Sequence, residues 1–280
     1  MDKNKTEIVR DWVKKESQAE QFRDQVCERN GWKDYIDEMK GNFRKLEGIS
    51  DIIVQPLNFV FAYVKTEIPA LYLRDPHLKV NPKKKSSIQS AKILEEALNY
   101  IWRDKKIKRE NKKNITDGKL IGHSWFKQGY TGTFGTVEDG KGGTIQTIES
   151  EDFFGYRVPW DCITFDTESI DPPYDCRWIC HTTYVPLEEV KSNPRYKNTE
   201  KINPMTPKRK YNSSTESRDK DNDGDYKMAC LKEFWDKKGQ TVFTLSPGVD
   251  DYIESPKPWP YEMKGWPFKY LNFKIGRAHV

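Results

Sequence analysis

The sequence lacks a run that could cross a membrane. Its most apolar stretch, Ile52 to Leu73, is interrupted by Pro56, Asn58, Lys65, Glu67 and Pro69. A helical span needs about 20 predominantly apolar residues, so this stretch reads as a buried helix. Cysteine is scarce: Cys27, Cys162, Cys176, Cys180 and Cys230 make an odd count of 5, with no CxxC pair. The start Met1-Asp2-Lys3-Asn4-Lys5 carries no apolar signal segment. Both features favour free thiols in a reducing compartment. Charge of one sign is lacking too, the net being +5 over 280 residues. A dedicated nucleic-acid-binding domain concentrates its basic residues on one face. The nearest stretches are Lys83-Lys84-Lys85 and Lys105 to Lys113. They read as solvated loops and helix faces, with contact to a nucleic-acid backbone as the alternative.

Signatures of catalysis are also missing. No GxSxG, HExxH or P-loop occurs. Gly132, Gly135, Gly140, Gly142 and Gly143 are spaced as hairpin glycines. They do not follow a strand and open a helix, as a phosphate cradle must.

What is present is a folded chain, since aromatics make up 13% of it and disordered chains are poor in them. Residues 5 to 46 read as helix, broken at Asn30-Gly31. Their apolar positions are few, so these helices need a neighbour. The next helix is expected to begin at Pro56, where a missing N–H costs nothing. Its residues Leu57, Phe59, Val60, Phe61, Val64, Ile68 and Leu71 give an apolar surface wider than one stripe, which predicts burial on several sides. Pro69 kinks or closes it, and His77 to Pro82 reads as extended.

A helix over 86–103, capped by Ser86 or Ser87, repeats Ile88, Ala91, Leu94, Ala97, Leu98 and Ile101 at helical spacing. Another runs from Lys106 to Leu120, and Gly122 turns the chain from helix to sheet. Ser124–Tyr130 and Thr144–Ser150 are strands joined by a loop at Asp139-Gly140-Lys141-Gly142-Gly143. Further extended segments lie near 153–158, 163–166 and 177–184, before a short helix at Pro186–Val190. Residues 193–225 are polar and read as a flexible surface loop. Met228–Trp235 and Thr241–Leu245 form a hairpin across Asp236-Lys237-Lys238-Gly239.

Four constellations could carry chemistry, and each has a plainer reading. Asp219-Lys220-Asp221-Asn222-Asp223-Gly224 opens like an EF-hand loop. Its twelfth position is Cys230 rather than a bidentate Glu, which favours a solvated acidic turn. Cys176, Cys180 and His181 are too few for a structural zinc and read as buried cysteines. Glu149, Glu151 and Asp152 are adjacent carboxylates, but adjacency alone does not set the separation or pKa that acid–base work needs. Trp259, Tyr261, Lys264, Trp266, Phe268, Lys269 and Tyr270 interleave aromatic and basic residues. With Pro258, Pro260 and Pro267 beside them they favour a packed extended arm over stacking on bases.

The order of these segments resembles the N-terminal region of tailed-bacteriophage portal proteins. The anchor is Pro69-Ala70-Leu71-Tyr72-Leu73-Arg74-Asp75-Pro76-His77-Leu78-Lys79-Val80-Asn81-Pro82, similar to the family pattern after a buried helix. The helix from Ser87 to Trp102 follows it, and then Thr116 to Tyr130, where a helix ends in glycine and enters an aromatic strand. Glu149 to Asp166 is the last cue, with Thr167 where the family pattern has proline. The resemblance covers roughly residues 35 to 195. Its pattern positions here are Pro69, Leu71, Tyr72, Arg74, Pro76 and Gly122.

The resemblance implies an α+β fold, with N-terminal helices packed on a mixed, mostly antiparallel sheet like the portal wing. It implies a dodecameric ring at one capsid vertex, with double-stranded DNA passing through the central channel. The partners so implied are the terminase large subunit, the major capsid or scaffolding protein, and head–tail connector proteins. The protein would belong to the virion, assembled in the host bacterial cytoplasm, with no bond chemistry, metal or cofactor of its own. Another head–tail connector or virion structural protein is the alternative.

The segments expected are 1–50 helical, 51–122 a helical layer, 123–192 β-rich, 193–225 loop and 226–274 a hairpin with an aromatic arm. Ile275 to Val280 is what a common sequencing-adapter run encodes. Residues 275–280 are therefore expected to be read-through, with the natural protein continuing.

Overall fold

The computed structural model describes residues 3–41, 57–139, 143–205, 227–260 and 265–273. In chain order the helices are α1 (Lys3–Arg29), α2 (Trp32–Lys40), α3 (Phe59–Leu71), α4 (Ile88–Asp104), α5 (Ile107–Ile121) and α6 (Leu187–Ser192). The strands are β1 (His123–Asp139), β2 (Gly143–Val158), β3 (Ile163–Phe165), β4 (Trp178–Pro186), β5 (Met228–Asp236), β6 (Thr241–Leu245), β7 (Glu254–Pro258) and β8 (Phe268–Asn272). The chain is α+β, as its sequence leads one to expect. The strands fall into a three-stranded sheet ordered β2-β1-β8 and a five-stranded sheet ordered β3-β4-β5-β6-β7. Every pairing in both is antiparallel. The chain divides into two compact units, each assembled from separate stretches. Met1–Phe61 joins Pro159–Trp266 in the first, and Ala62–Val158 joins Pro267–Val280 in the second.

In the first unit, α1 finds the neighbour its polar surface calls for. Val9, Trp12, Glu16, Ala19, Arg23 and Cys27 recur at steps of three and four, so they lie on one stripe. Val9, Trp12 and Ala19 pack on Trp178, Cys180, Phe234, Phe243, Leu245 and Tyr252 of the five-stranded sheet and its loops. The Trp12 ring lies 5.3 Å from Phe243, which stacks on Phe234 at 5.3 Å. Two charged members of the stripe are also used. Lys232 of β5 donates to the buried Glu16, and Arg23 donates to the carbonyls of Asp161 and Ile163 at 2.9 and 3.2 Å. Gly31, at φ 63°, makes the break before α2, a conformation that glycine adopts without a Cβ penalty.

The β5–β6 hairpin falls where the sequence places it. The Asp236 carboxylate accepts the amides of Lys238 and Gly239 at 3.2 and 2.9 Å and so shapes the turn. Of the polar stretch 193–225, residues 193–205 are described. Ile202 joins a core with Val190, Leu231 and Ile253, and Asn198 donates to Asp251 and to the Tyr252 carbonyl. The EF-hand-like run at 219–224 lies outside the described residues, as do 275–280.

In the second unit, β1 and β2 form one long hairpin, paired from Asp139↔Gly143 to Trp125↔Val158 with a bulge at Thr133/Phe134. The sequence reading divides β2 into two segments because Glu149-Ser150-Glu151-Asp152 lowers strand propensity at its middle. Here the ladder to β1 carries the strand through those residues. β8 pairs with the other edge of β1 from His123↔Asn272 to Lys127↔Phe268. Trp125, Val158 and Phe268 are buried on one face of this sheet, and Phe126 and Arg157 lie on the other. The described part of the aromatic arm is packed, with Tyr270 4.8 Å from Trp125, while Tyr261 and Lys264 lie outside the described residues. In the first unit Trp259 donates to the Thr241 carbonyl at 3.1 Å.

The helical layer departs from expectation. The N-terminal turn of α3 is capped by Asn58, whose side-chain oxygen accepts the Phe61 amide at 2.7 Å. Pro56 lies outside the described residues. The burial on several sides predicted for this helix is not met among the described residues. Val64 is the buried residue of α3, while Phe59 is 74% exposed and Tyr63 51%. On α4, Ala91 is buried whereas Ile88, Ile93, Leu94 and Tyr100 are exposed.

Candidate functional site

The pattern residues converge on the helical layer of the second unit. After Pro69 in the last turn of α3, the Tyr72 amide still bonds to the Ile68 carbonyl at 2.9 Å. The Tyr72 hydroxyl donates to Asp75 at 3.3 Å, and burial pushes its pKa up. Asp75 also receives Lys108 of α5 at 3.2 Å. Pro69, Leu71, Arg74 and Pro76 are exposed. Arg74 makes no ion pair among the described residues.

The extended segment His77–Pro82 lies along α4, and two side chains one turn apart hold it. Asn99 accepts the Leu78 amide at 3.0 Å and donates to the Leu78 carbonyl at 2.8 Å, as a strand neighbour would. Glu95 accepts the Val80 amide at 3.0 Å. That amide, with His77 nearby, holds the Glu95 carboxyl below its usual range. The proline-bounded pattern is thus a strap pinned to a helix.

The second motif, Asp117-Gly118 with Gly122, is explained residue by residue. Asp117 on α5 is buried and takes a bidentate pair from Arg157 of β2, at 2.6 and 2.9 Å. Gly118 leaves room for the Phe273 ring, which a Cβ there would meet at 2.0 Å. Gly122 ends α5 at φ 84°, its amide bonding to Gly118 and its carbonyl accepting the Phe273 amide at 2.8 Å. Of these only Gly122 stands out in the sequence. The Arg157 partner lies 40 residues away from Asp117, and no local pattern announces it.

The residues considered for chemistry, where their side chains are described, take up structural contacts. Glu151 accepts the Tyr130 hydroxyl at 2.7 Å, and Asp152 pairs with Lys105. Both face solvent mid-strand. Cys180 is fully buried in β4, and burial raises its thiol well above the usual value. Cys176 is buried in the loop before that strand, its thiol pushed up to about 11. No set of three or more His, Cys, Asp or Glu is placed to hold a metal among the described residues. No described helix is long and apolar enough to cross a membrane.

In both units charged residues tie elements to one another. The chain belongs to the P22-like phage portal proteins, whose family model matches residues 73–263, and this family is structural rather than enzymatic. A search of curated proteins finds no match. The family match begins later and ends later than the resemblance legible by eye. Arg74, Pro76 and Gly122 fall within it, and Pro69, Leu71 and Tyr72 precede it. Membership implies a phage portal role and a ring oligomer.

Proposed function

We propose that this chain is a subunit of the portal ring at the capsid vertex, a dodecamer whose channel passes double-stranded DNA during packaging and ejection. In this reading the ring is the platform for the terminase large subunit and later for head–tail connector proteins. It seats against the major capsid or scaffolding protein, is assembled in the host cytoplasm and remains in the virion.

The family match over residues 73–263 carries the reading. The apolar side chains left uncovered on α3 and α4 support it. Phe59, Leu94 and Tyr100 are each more than half exposed. Obligate interfaces resemble a domain core cut in half, and a ring needs such surfaces on every subunit. Negative-stain microscopy of the full-length gene product tests the proposal. Rings with a central hole are expected. Isolated subunits at every protein concentration would overturn it.

A further inference from the structure

A basic cleft opens where α4 turns into α5, within the second unit. Its volume is about 490 Å³, and its walls carry Arg103, Lys106, Lys108, Arg109 and Lys112 against a single acid, Asp75, with the Trp102 ring beside them. Asp75 answers only one of these cations, Lys108, at 3.2 Å. Arg103 turns its Nε toward the Asn99 carbonyl at 3.3 Å. Its guanidinium, with Lys106, Arg109 and Lys112, meets no carboxylate among the described residues. Lys106 is also the N-cap of α5, so the positive end of the helix dipole adds to the same cleft.

We propose that this cleft binds phosphate groups. Like charges gathered in one concavity repel one another and raise the local potential by several kT. A ligand that relieves this must bring several negative charges at close spacing. Lys106 to Lys112 spans about 9 Å along a helix axis at 1.5 Å per residue. One nucleic-acid strand presents a phosphate every 3.4 Å of rise, roughly two or three over that distance. Arginine forks match phosphate oxygens in pairs. The Trp102 face can support a base or sugar next to them.

The source of the phosphates is either a nucleic-acid backbone or a free polyphosphate. The site lies within one chain, so it does not depend on the ring reading.

The test uses the intact chain and a triple variant, K106G/R109Q/K112Q. Gly suits position 106, where φ is 51°, so this change removes a charge while easing the backbone. Binding is read by fluorescence anisotropy with a short labelled DNA duplex of unrelated sequence. Inorganic tripolyphosphate is titrated as both ligand and competitor. The intact chain is expected to bind, and the triple variant to bind at least about tenfold more weakly. The slope of log affinity against log salt should fall by roughly 2 to 3 with the lost contacts. R109K/K112R, which keeps the charges, should retain binding.

Duplex binding that tripolyphosphate displaces supports a site for phosphates of either source. Duplex binding that resists it supports the nucleic-acid backbone, and binding of tripolyphosphate alone supports a free polyphosphate. Three results overturn the proposal: no binding of either ligand at low salt, undiminished binding by a folded triple variant, or tighter binding of a polyglutamate peptide than of both.

Discussion

Replacing Asp117 or Arg157 alone should cost far more than an ion pair on a surface does. The Asp117 carboxylate retains 4% of its side-chain exposure and Arg157 18%, and they meet through two hydrogen bonds of 2.6 and 2.9 Å. Breaking a buried pair strands the surviving charge in a poor solvent, at a cost of about 3–5 kcal/mol. An exposed pair is worth about 0.2–1 kcal/mol. Set against a domain stability of roughly 5–15 kcal/mol, Arg157→Ala should remove a large part of what holds α5 on the sheet. Asp117→Ala should cost somewhat less, because Arg157 keeps a little access to water. The double replacement Asp117→Leu with Arg157→Leu should cost less than either single change, since no charge is stranded.

The assay is urea unfolding of the parent chain and the three variants. Hydrogen exchange over α5 and β2 assigns the transition to this unit. Single costs below about 1 kcal/mol would refute the reasoning. So would a double variant that loses the sum of the singles.

Three further outcomes follow from the same unit. Gly118→Ala should destabilise by about 1–3 kcal/mol, because its Cβ has no room beside the Phe273 ring. A thermal melt of Gly118→Ala with Phe273→Ala should recover part of that loss, and no recovery would place the cost elsewhere. Burial lowers the pKa of His123 from 6.5 to about 4. The neutral ring therefore contributes stability that is whole above about 6.5 and is lost as pH falls toward about 4. His123→Gln should flatten the stability–pH curve in that window, and an unchanged curve would contradict it. Asn99→Ala removes both bonds to Leu78, so exchange at the Leu78 amide should rise while the rest of α4 stays protected.

The α+β class and most helix ends could be read from local chemistry, whereas β7 and β8 read only as an extended arm. Asn30-Gly31, Gly122 and the Asp236–Gly239 turn each act within a few residues, and local sequence displays them. β2 was harder, because its acidic middle reads as a break until β1 is there to pair with it. The site was legible in outline only. The strap from Pro76 to Pro82 shows its prolines, whereas the side chains that pin it, Glu95 and Asn99, sit on a helix face where they look like ordinary surface residues. Arg157 and Phe273 are partners of α5 only through the sheet. The apolar breadth of α3 led to an expectation of burial on several sides that the described residues do not meet. Among the described residues most of that apolar surface stays exposed.

That exposed surface leads to the central claim. Native mass spectrometry of the full-length gene product, at micromolar concentration and with no other phage protein present, tests it most directly. The account predicts a single closed assembly of twelve subunits. Replacing Leu94 and Tyr100 with aspartate should break that assembly into folded monomers. A product that stays monomeric, or that forms rings unaffected by those two charges, would contradict it.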